Sequence, residues 1–178
     1  MHHSLRFYGE HQHFVLKLYV TLAKLTGVPL AGRLARYIAN RYGQRQHRVY
    51  SLTHEEALQI VDDSTTVALG PCSCRHVFHN CDTPVMSEIV VGTGVAVFSK
   101  VRQDELKVIT KAEAKEILRQ CHDNNLIHTI AKCRDDFYAI CNCCNCCCVP
   151  LKLSKKYGIR TAIIRNNSVI EDYRKQQL

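Results

Sequence analysis

No stretch of this 178-residue chain reaches the ~20 uninterrupted apolar residues that a membrane-spanning helix needs, because Lys17 and Lys24 break its most hydrophobic segment. No secretory apolar core accompanies the basic N-terminal segment. Neither an integral membrane protein nor an exported one is expected, and a reducing cytoplasm is the expected setting. The P-loop, the G-x-G-x-x-G turn and the nucleophile elbow are also missing, so nucleotide binding and serine hydrolysis lack their sequence signatures. Acid is scarce at one end: residues 1–50 hold eight Lys/Arg and a single acid, Glu10, whereas residues 51–178 hold sixteen and fifteen. Cysteine is absent from that basic part as well. These shortages divide the chain into a basic amphipathic helical segment, 1–49, and a cysteine-rich domain, 50–178.

What the second part has is thiols. The chain carries eleven cysteines, six of them between Cys141 and Cys148 in "AICNCCNCCCVP". An apolar content of 46% is enough for a hydrophobic core without covalent staples. Disulfides fit poorly, because the count is odd and neighbours such as Cys146, Cys147 and Cys148 do not easily pair with one another.

In the basic segment, Val15, Leu18, Leu22 and Leu25, then Leu30, Leu34 and Ile38, recur at helical spacing with cations between them. The spacing predicts two short amphipathic helices broken at "TGVP", where Pro29 can open the second. Their apolar faces either pack on the cysteine domain, dock an acidic partner, or lie on an anionic membrane surface. Beyond "GQRQHR" the chain repeats itself. "SLTHEEALQIV" and "VITKAEAKEIL" each begin with a capping box, Thr53 with Glu56 and Thr110 with Glu113. The first predicted helix leads through the strand-like "TTVALG" to Cys72. The second, ending near Cys121, leads through "LIHTIAK" and "FYAI" to Cys141. "SEIVVGTGVAVFSKV" reads as strand and turn. The expected fold is α+β, with two helix-strand-Cys halves whose cysteines converge.

The first cluster, "GPCSCRHVFHNC", offers Cys72, Cys74 and Cys81; the second offers Cys141, Cys143, Cys144, Cys146, Cys147 and Cys148. Soft thiolates in a reducing cell point to zinc or iron–sulphur centres. One zinc takes four ligands, as in C-x-x-C pairs such as Cys141 with Cys144, and leaves most of the nine thiols idle. One or two 4Fe-4S clusters are favoured, since two would use eight of the nine. An extended backbone through "CNCCNCCC" points neighbouring side chains opposite ways, so all six do not reach one cluster without sharp turns. Asn142 and Asn145 offer exposed amides to cluster sulphurs, and Arg75 offers a compensating charge. Cys121 and Cys133 read as buried or incidental thiols. His76 and His79, inside the first motif, read as ordinary histidines that are placed to complete a site.

"THEEALQIVDDSTTVALGPCSCRHVFHNCDTPV", "ITKAEAKEILRQCHDNNLIHTI" and "AICNCCNCCC" resemble a group of bacterial and archaeal 4Fe-4S-binding, ferredoxin-like proteins. The likeness spans most of residues 50–165 and rests on the ordered pair C-x-C-R and C-N-C-C-x-C-C-C. Members often continue, after a segment similar to "YGIRTAIIRNNSVIEDY", into a ferredoxin domain with repeated C-x-x-C-x-x-C motifs, whereas this chain ends at Leu178. Some relatives carry a further cysteine where Glu88 stands here. The resemblance implies Cys72, Cys74 and Cys81 as ligands, with a fourth from residues 141–148. The expected function is a non-catalytic electron-transfer protein or subunit whose basic N-terminal helices dock a redox partner protein. The alternatives are a cluster-based sensor that binds nucleic acid and an enzyme with an open iron site. The nucleic-acid reading ranks below electron transfer, since the stretch from Val101 to Arg134 lacks a basic face.

Overall fold

The computed structural model describes residues 2–177. In chain order its elements are α1 (His3–Ala23), α2 (Ala31–Gly43), β1 (His47–Ser51), α3 (His54–Asp63), β2 (Val67–Pro71), α4 (Ser73–Phe78), β3 (Met86–Val91), α5 (Thr93–Val101), β4 (Lys107–Ile109), α6 (Lys111–Asp123), β5 (Ile127–Cys133), β6 (Asp136–Cys143), α7 (Val149–Tyr157), β7 (Ile164–Arg165) and α8 (Val169–Gln177). Both capping boxes form. The Thr53 hydroxyl accepts from the Glu56 N–H at 3.2 Å and the Glu56 carboxylate accepts from the Thr53 N–H at 2.8 Å. Thr110 and Glu113 make the same exchange at 3.1 and 2.7 Å. Each box satisfies two backbone donors that a helix start otherwise leaves open.

The strands form one α+β sheet in the order β4-β2-β3-β6-β5-β1-β7, antiparallel except for the β1–β7 pair. The repeat seen in the sequence reappears in this order. Exchanging β1 with β4, β2 with β5 and β3 with β6 maps the first six strands onto themselves, with β3 and β6 paired at the centre. Each half is therefore a strand, a capped helix and two strands. The sheet packs α3, α6 and α8 on one face, around Ile60, Leu118, Ile130, Ile140 and Tyr173. On the other face α5 and α1 pack around Leu5, Val90, Phe98 and Tyr138.

Topology explains why the cysteines meet. β2 and β6 flank β3 and both run antiparallel to it, so they leave the sheet at the same end. Cys72 follows one and Cys143 ends the other.

One expectation changes. "GVAVFSKV" forms the helix α5 rather than more strand and turn, although its valines favour strands. Val97 and Phe98 bury one side of it, and Gly94 lies so close to β6 that a Cβ there would sit 2.1 Å from the Tyr138 carbonyl oxygen. Packing thus overrides local preference. In the basic segment, α1 buries Leu5, Val15 and Leu16, but Leu22, Leu25, Leu34 and Ile38 stay exposed. Among the described residues no helix is long and apolar enough to cross a membrane.

Candidate metal centre

β6 is extended as far as Cys143, the chain turns at residues 145–147, and α7 starts at Val149 with Cys148 as its cap. Alternation along an extended backbone followed by a tight turn sends adjacent cysteines in different directions. The outcome is one tight group of four thiols, with further thiols after β2, in β6 and at the cap of α7 beside it.

The outer group is Cys81, Cys144, Cys146 and Cys147, whose sulphurs all lie within 4.8 Å of one another. Cys81 Sγ is 3.7 Å from that of Cys144 and 3.6 Å from that of Cys147. The Asn80 N–H donates to Cys147 Sγ at 3.3 Å, which fixes the loop from α4 against the turn. Hydrogen bonds from Cys146 and Thr83 lower the Cys81 thiol to about 6, so this group has a natural first thiolate.

A looser inner set is Cys72, Cys74, Cys143 and Cys148, whose sulphurs are not gathered within the 4.8 Å that encloses the outer four. The Cys148 thiol shares hydrogen bonds with Cys143 and Cys74, and Cys72 is near enough to Cys74 and Cys143 for their charges to oppose its ionisation. The Val149 N–H, in the first turn of α7, donates to Cys74 Sγ at 3.4 Å, and the Thr129 hydroxyl lies 3.5 Å from Cys143 Sγ. The bond from Cys148 holds the Cys143 thiol below its ordinary value despite burial.

Arg75 lies between the groups. It is buried, and Nη2 donates to the Asn142 carbonyl at 2.9 Å and to the Ser87 hydroxyl. Nε and Nη1 have no partner. Burial pulls its pKa down, but the sulphurs of Cys72, Cys144, Cys121 and Cys143 outweigh it and hold the guanidinium above its ordinary value. A buried cation with two open donors is costly unless negative charge stands beside it. Ionised thiolates around a metal supply that charge, so the donor set and the orphaned nitrogens fit an anionic thiolate centre.

No family model, curated protein or solved structure matches the chain. The chemistry of the cysteines must therefore be read from the site itself.

The structure separates Cys81 from Cys72 and Cys74, which the sequence treats as one ligand set. Cys141, the ninth thiol, is not one of the outer four but packs beside Cys143 and Cys148; burial and then Glu88, joined by Cys143, Cys72 and Cys74, push it well above its ordinary value. Glu88 is itself buried, with Arg102 Nη1 at 3.9 Å. The two asparagines do not offer their amides to sulphur. Asn142 is buried, donating Nδ2 to the Ser87 carbonyl at 2.7 Å, and Asn145 accepts from Lys155 Nζ at 2.7 Å. His76 packs its ring against His13 and His79 rather than joining the thiols. Cys133 is buried in the α1/α5 core, where burial raises its thiol to about 11. Cys121, in α6, is likewise raised by burial.

Sequence reading passed over three residues at the same end of the sheet. His54, His122 and His128 come together there. Their signal lay in the repeat: two like helices packed antiparallel bring the start of α3 to the end of α6.

Proposed function

We propose that the chain is an iron–sulphur protein that carries single electrons between protein partners, with one centre held by Cys72, Cys74, Cys143 and Cys148 and a second by Cys81, Cys144, Cys146 and Cys147. The observation that carries this reading is the outer group of four thiols within 4.8 Å of one another, with the inner thiols and the unsatisfied guanidinium of Arg75 beside it. A 4Fe-4S cluster supplies a reversible one-electron couple, and its potential responds to nearby charge and hydrogen bonds. Arg75 and the N–H groups of Asn80 and Val149 are placed to favour the more negative, reduced state. Apolar side chains wall off the inner group, where Leu151 packs on Cys143 and Cys148.

A docking surface accompanies the centres. Lys24, Arg36, Lys155, Lys156 and Arg160 line one hollow between the N-terminal hairpin and the end of α7. The nine residues of α7 span about 12 Å at 1.5 Å per residue. An acidic redox partner seated in the hollow is therefore one short helix away from the inner thiols. Arg36 also donates to the Thr26 carbonyl and Lys155 to Asn145 Oδ1, each at 2.7 Å, so Lys24 and Lys156 are the freer steering charges.

The outer group also favours a second reading, a single tetrahedral ion. Zinc–sulphur bonds of about 2.3 Å put ligand sulphurs about 3.8 Å apart, close to the 3.6 and 3.7 Å found there. A cubane, with its irons at four corners, spreads its ligands more widely. The two readings part on iron, acid-labile sulphide and zinc per chain in protein purified without oxygen, recorded with the visible spectrum before and after dithionite. Iron with matching sulphide and bleaching on reduction supports electron transfer. Zinc without sulphide in a colourless sample overturns it and makes the thiols structural.

A further inference from the structure

We propose that His54, His122 and His128 form a separate, nitrogen-ligated site for a divalent ion of the zinc class, open to solvent on one side. The ligands come from three elements. His54 is the first residue of α3, directly after its Thr53 cap; His122 lies in the last turn of α6; His128 is in β5. Antiparallel packing of α3 on α6 over this strand gathers them, and one ring nitrogen of each lies within 4.8 Å of the others.

The spacing is that of ligands. His54 Nδ1 is 3.3 Å from His128 Nε2. Metal–nitrogen bonds of about 2.0–2.1 Å in a tetrahedron place two such atoms about 3.3–3.4 Å apart. The tautomer is also settled. Asn142 commits Nδ2 to the Ser87 carbonyl, so its Oδ1 accepts from His128 Nδ1 at 2.7 Å. His128 Nδ1 therefore carries the hydrogen, and the lone pair on Nε2 is left open beside His54 Nδ1. Metal-binding histidines are oriented in this way by an acceptor on the far ring nitrogen.

Burial grades across the site: His128 is buried, His54 half-buried and His122 exposed. A metal can thus enter from the His122 side and keep a fourth position for water. Glu55 is close enough to all three rings for its charge to favour a bound cation, while its carboxylate accepts from its own backbone N–H and from Thr53. Imidazole selects zinc, cobalt, nickel or copper, whereas the thiol groups favour softer or iron–sulphur centres. The two kinds of site are joined through Asn142, whose side chain holds His128 while its carbonyl holds Arg75.

The test uses the full chain, wild type and His122→Gln, titrated with Co2+ under nitrogen and followed by absorption. Thiolate-bound cobalt gives intense sulphur-to-metal charge-transfer bands; imidazole-bound cobalt gives only weak visible bands. The wild type should take up one equivalent beyond the thiol sites, seen only in the weak bands. His122→Gln, altered at an exposed position, should lose that equivalent and keep the charge-transfer bands. Asn142→Leu should weaken the same equivalent about 10- to 100-fold, and His122→Gln decides the matter should that chain fail to fold. Equal cobalt uptake by wild type and His122→Gln, or 15N ring resonances of His54 and His128 that Zn2+ leaves unmoved in wild type, would overturn the proposal. Loss of the charge-transfer bands in wild type would instead count against the thiol centres alone.

Discussion

Replacing Arg75 with methionine distinguishes a partner of the metal centres from a structural prop. The side chain is 1% exposed, donates two hydrogen bonds through Nη2, and leaves Nε and Nη1 without partners. In the metal-free chain the substitution removes two charged hydrogen bonds, each worth about 1.5–3 kcal/mol. It also removes a poorly compensated buried charge, and comparable swaps to apolar side chains gain about 1–4 kcal/mol. These terms oppose each other, so metal-free Arg75→Met should lose about 2 kcal/mol, between a gain of about 1 and a loss of about 5 kcal/mol. In the loaded chain the guanidinium faces ionised Cys72, Cys143 and Cys144. Removing one partner of a buried charge pair costs about 3–5 kcal/mol. At 1.4 kcal/mol per tenfold, metal affinity should fall by about two to three and a half powers of ten. Urea unfolding of the metal-free chains, followed by circular dichroism, gives the first quantity. Competition between a chelator and the Zn2+-loaded chains gives the second. Unchanged zinc affinity, together with a large loss of stability in the metal-free chain, would refute the electrostatic role.

The grouping of thiols predicts that Cys141→Ser keeps the outer centre, whereas Cys147→Ser and Cys148→Ser, one residue apart, lose the outer and the inner one respectively. Metal analysis that finds Cys141→Ser as depleted of the outer centre as Cys147→Ser would remove the grouping. For the docking hollow, Lys24→Glu with Lys156→Glu should slow reoxidation of the reduced protein by ferricyanide about tenfold or more at low salt, with metal content unchanged. An equal slowing with the cation hexaamminecobalt(III) would show that the lysines do not steer. Glu56 gives a pH test. Its hydrogen bonds from Arg165, joined by the Thr53 N–H, hold its carboxyl below the ordinary 4.5 in spite of partial burial. The unfolded chain then binds this proton more readily than the native one, so the stabilisation is present above pH 4.5 and is lost as pH falls through the lowered value. Wild type should lose stability in that interval faster than Glu56→Gln, and parallel acid-unfolding curves would contradict this.

The elements most legible in the sequence were those with local causes. Thr53, Glu56, Thr110 and Glu113 announce their helices because a capping box is closed within four residues. The convergence of the two cysteine motifs was legible too, because both follow the same repeated order of helix and strand. The partition of the thiols was not. It depends on where β6 stops and the turn at 145–147 begins, and a run of cysteines has no polar alternation to mark that boundary. Asn142 misled for a related reason: a loop asparagine and one buried between strands read alike until its pairing with His128 is known. The histidine cluster depends on contacts between residues 54, 122 and 128, which no local window joins. α5 was missed because its three valines state a strand preference that packing on α1 and β6 overrules.

One strand explains why two chemistries can occupy the same end of the sheet without mixing. Along β6, Ala139, Cys141 and Cys143 face the α1/α5 side, while Ile140 and Asn142 face α3 and α6. His128 and Thr129 divide in the same way on β5, the first turned to Asn142 and the second to Cys143. The pleat therefore sorts nitrogen ligands to one face and sulphur ligands to the other. A register slip of one residue between β5 and β6 would exchange the faces, turning Asn142 toward the thiols and Cys143 toward the histidines. That exchange is opposed by burial of Ile130 and Ile140, which are paired across the two strands and fully buried in the α3/α6 core. The apolar register that holds the sheet together thus also keeps the two candidate sites apart.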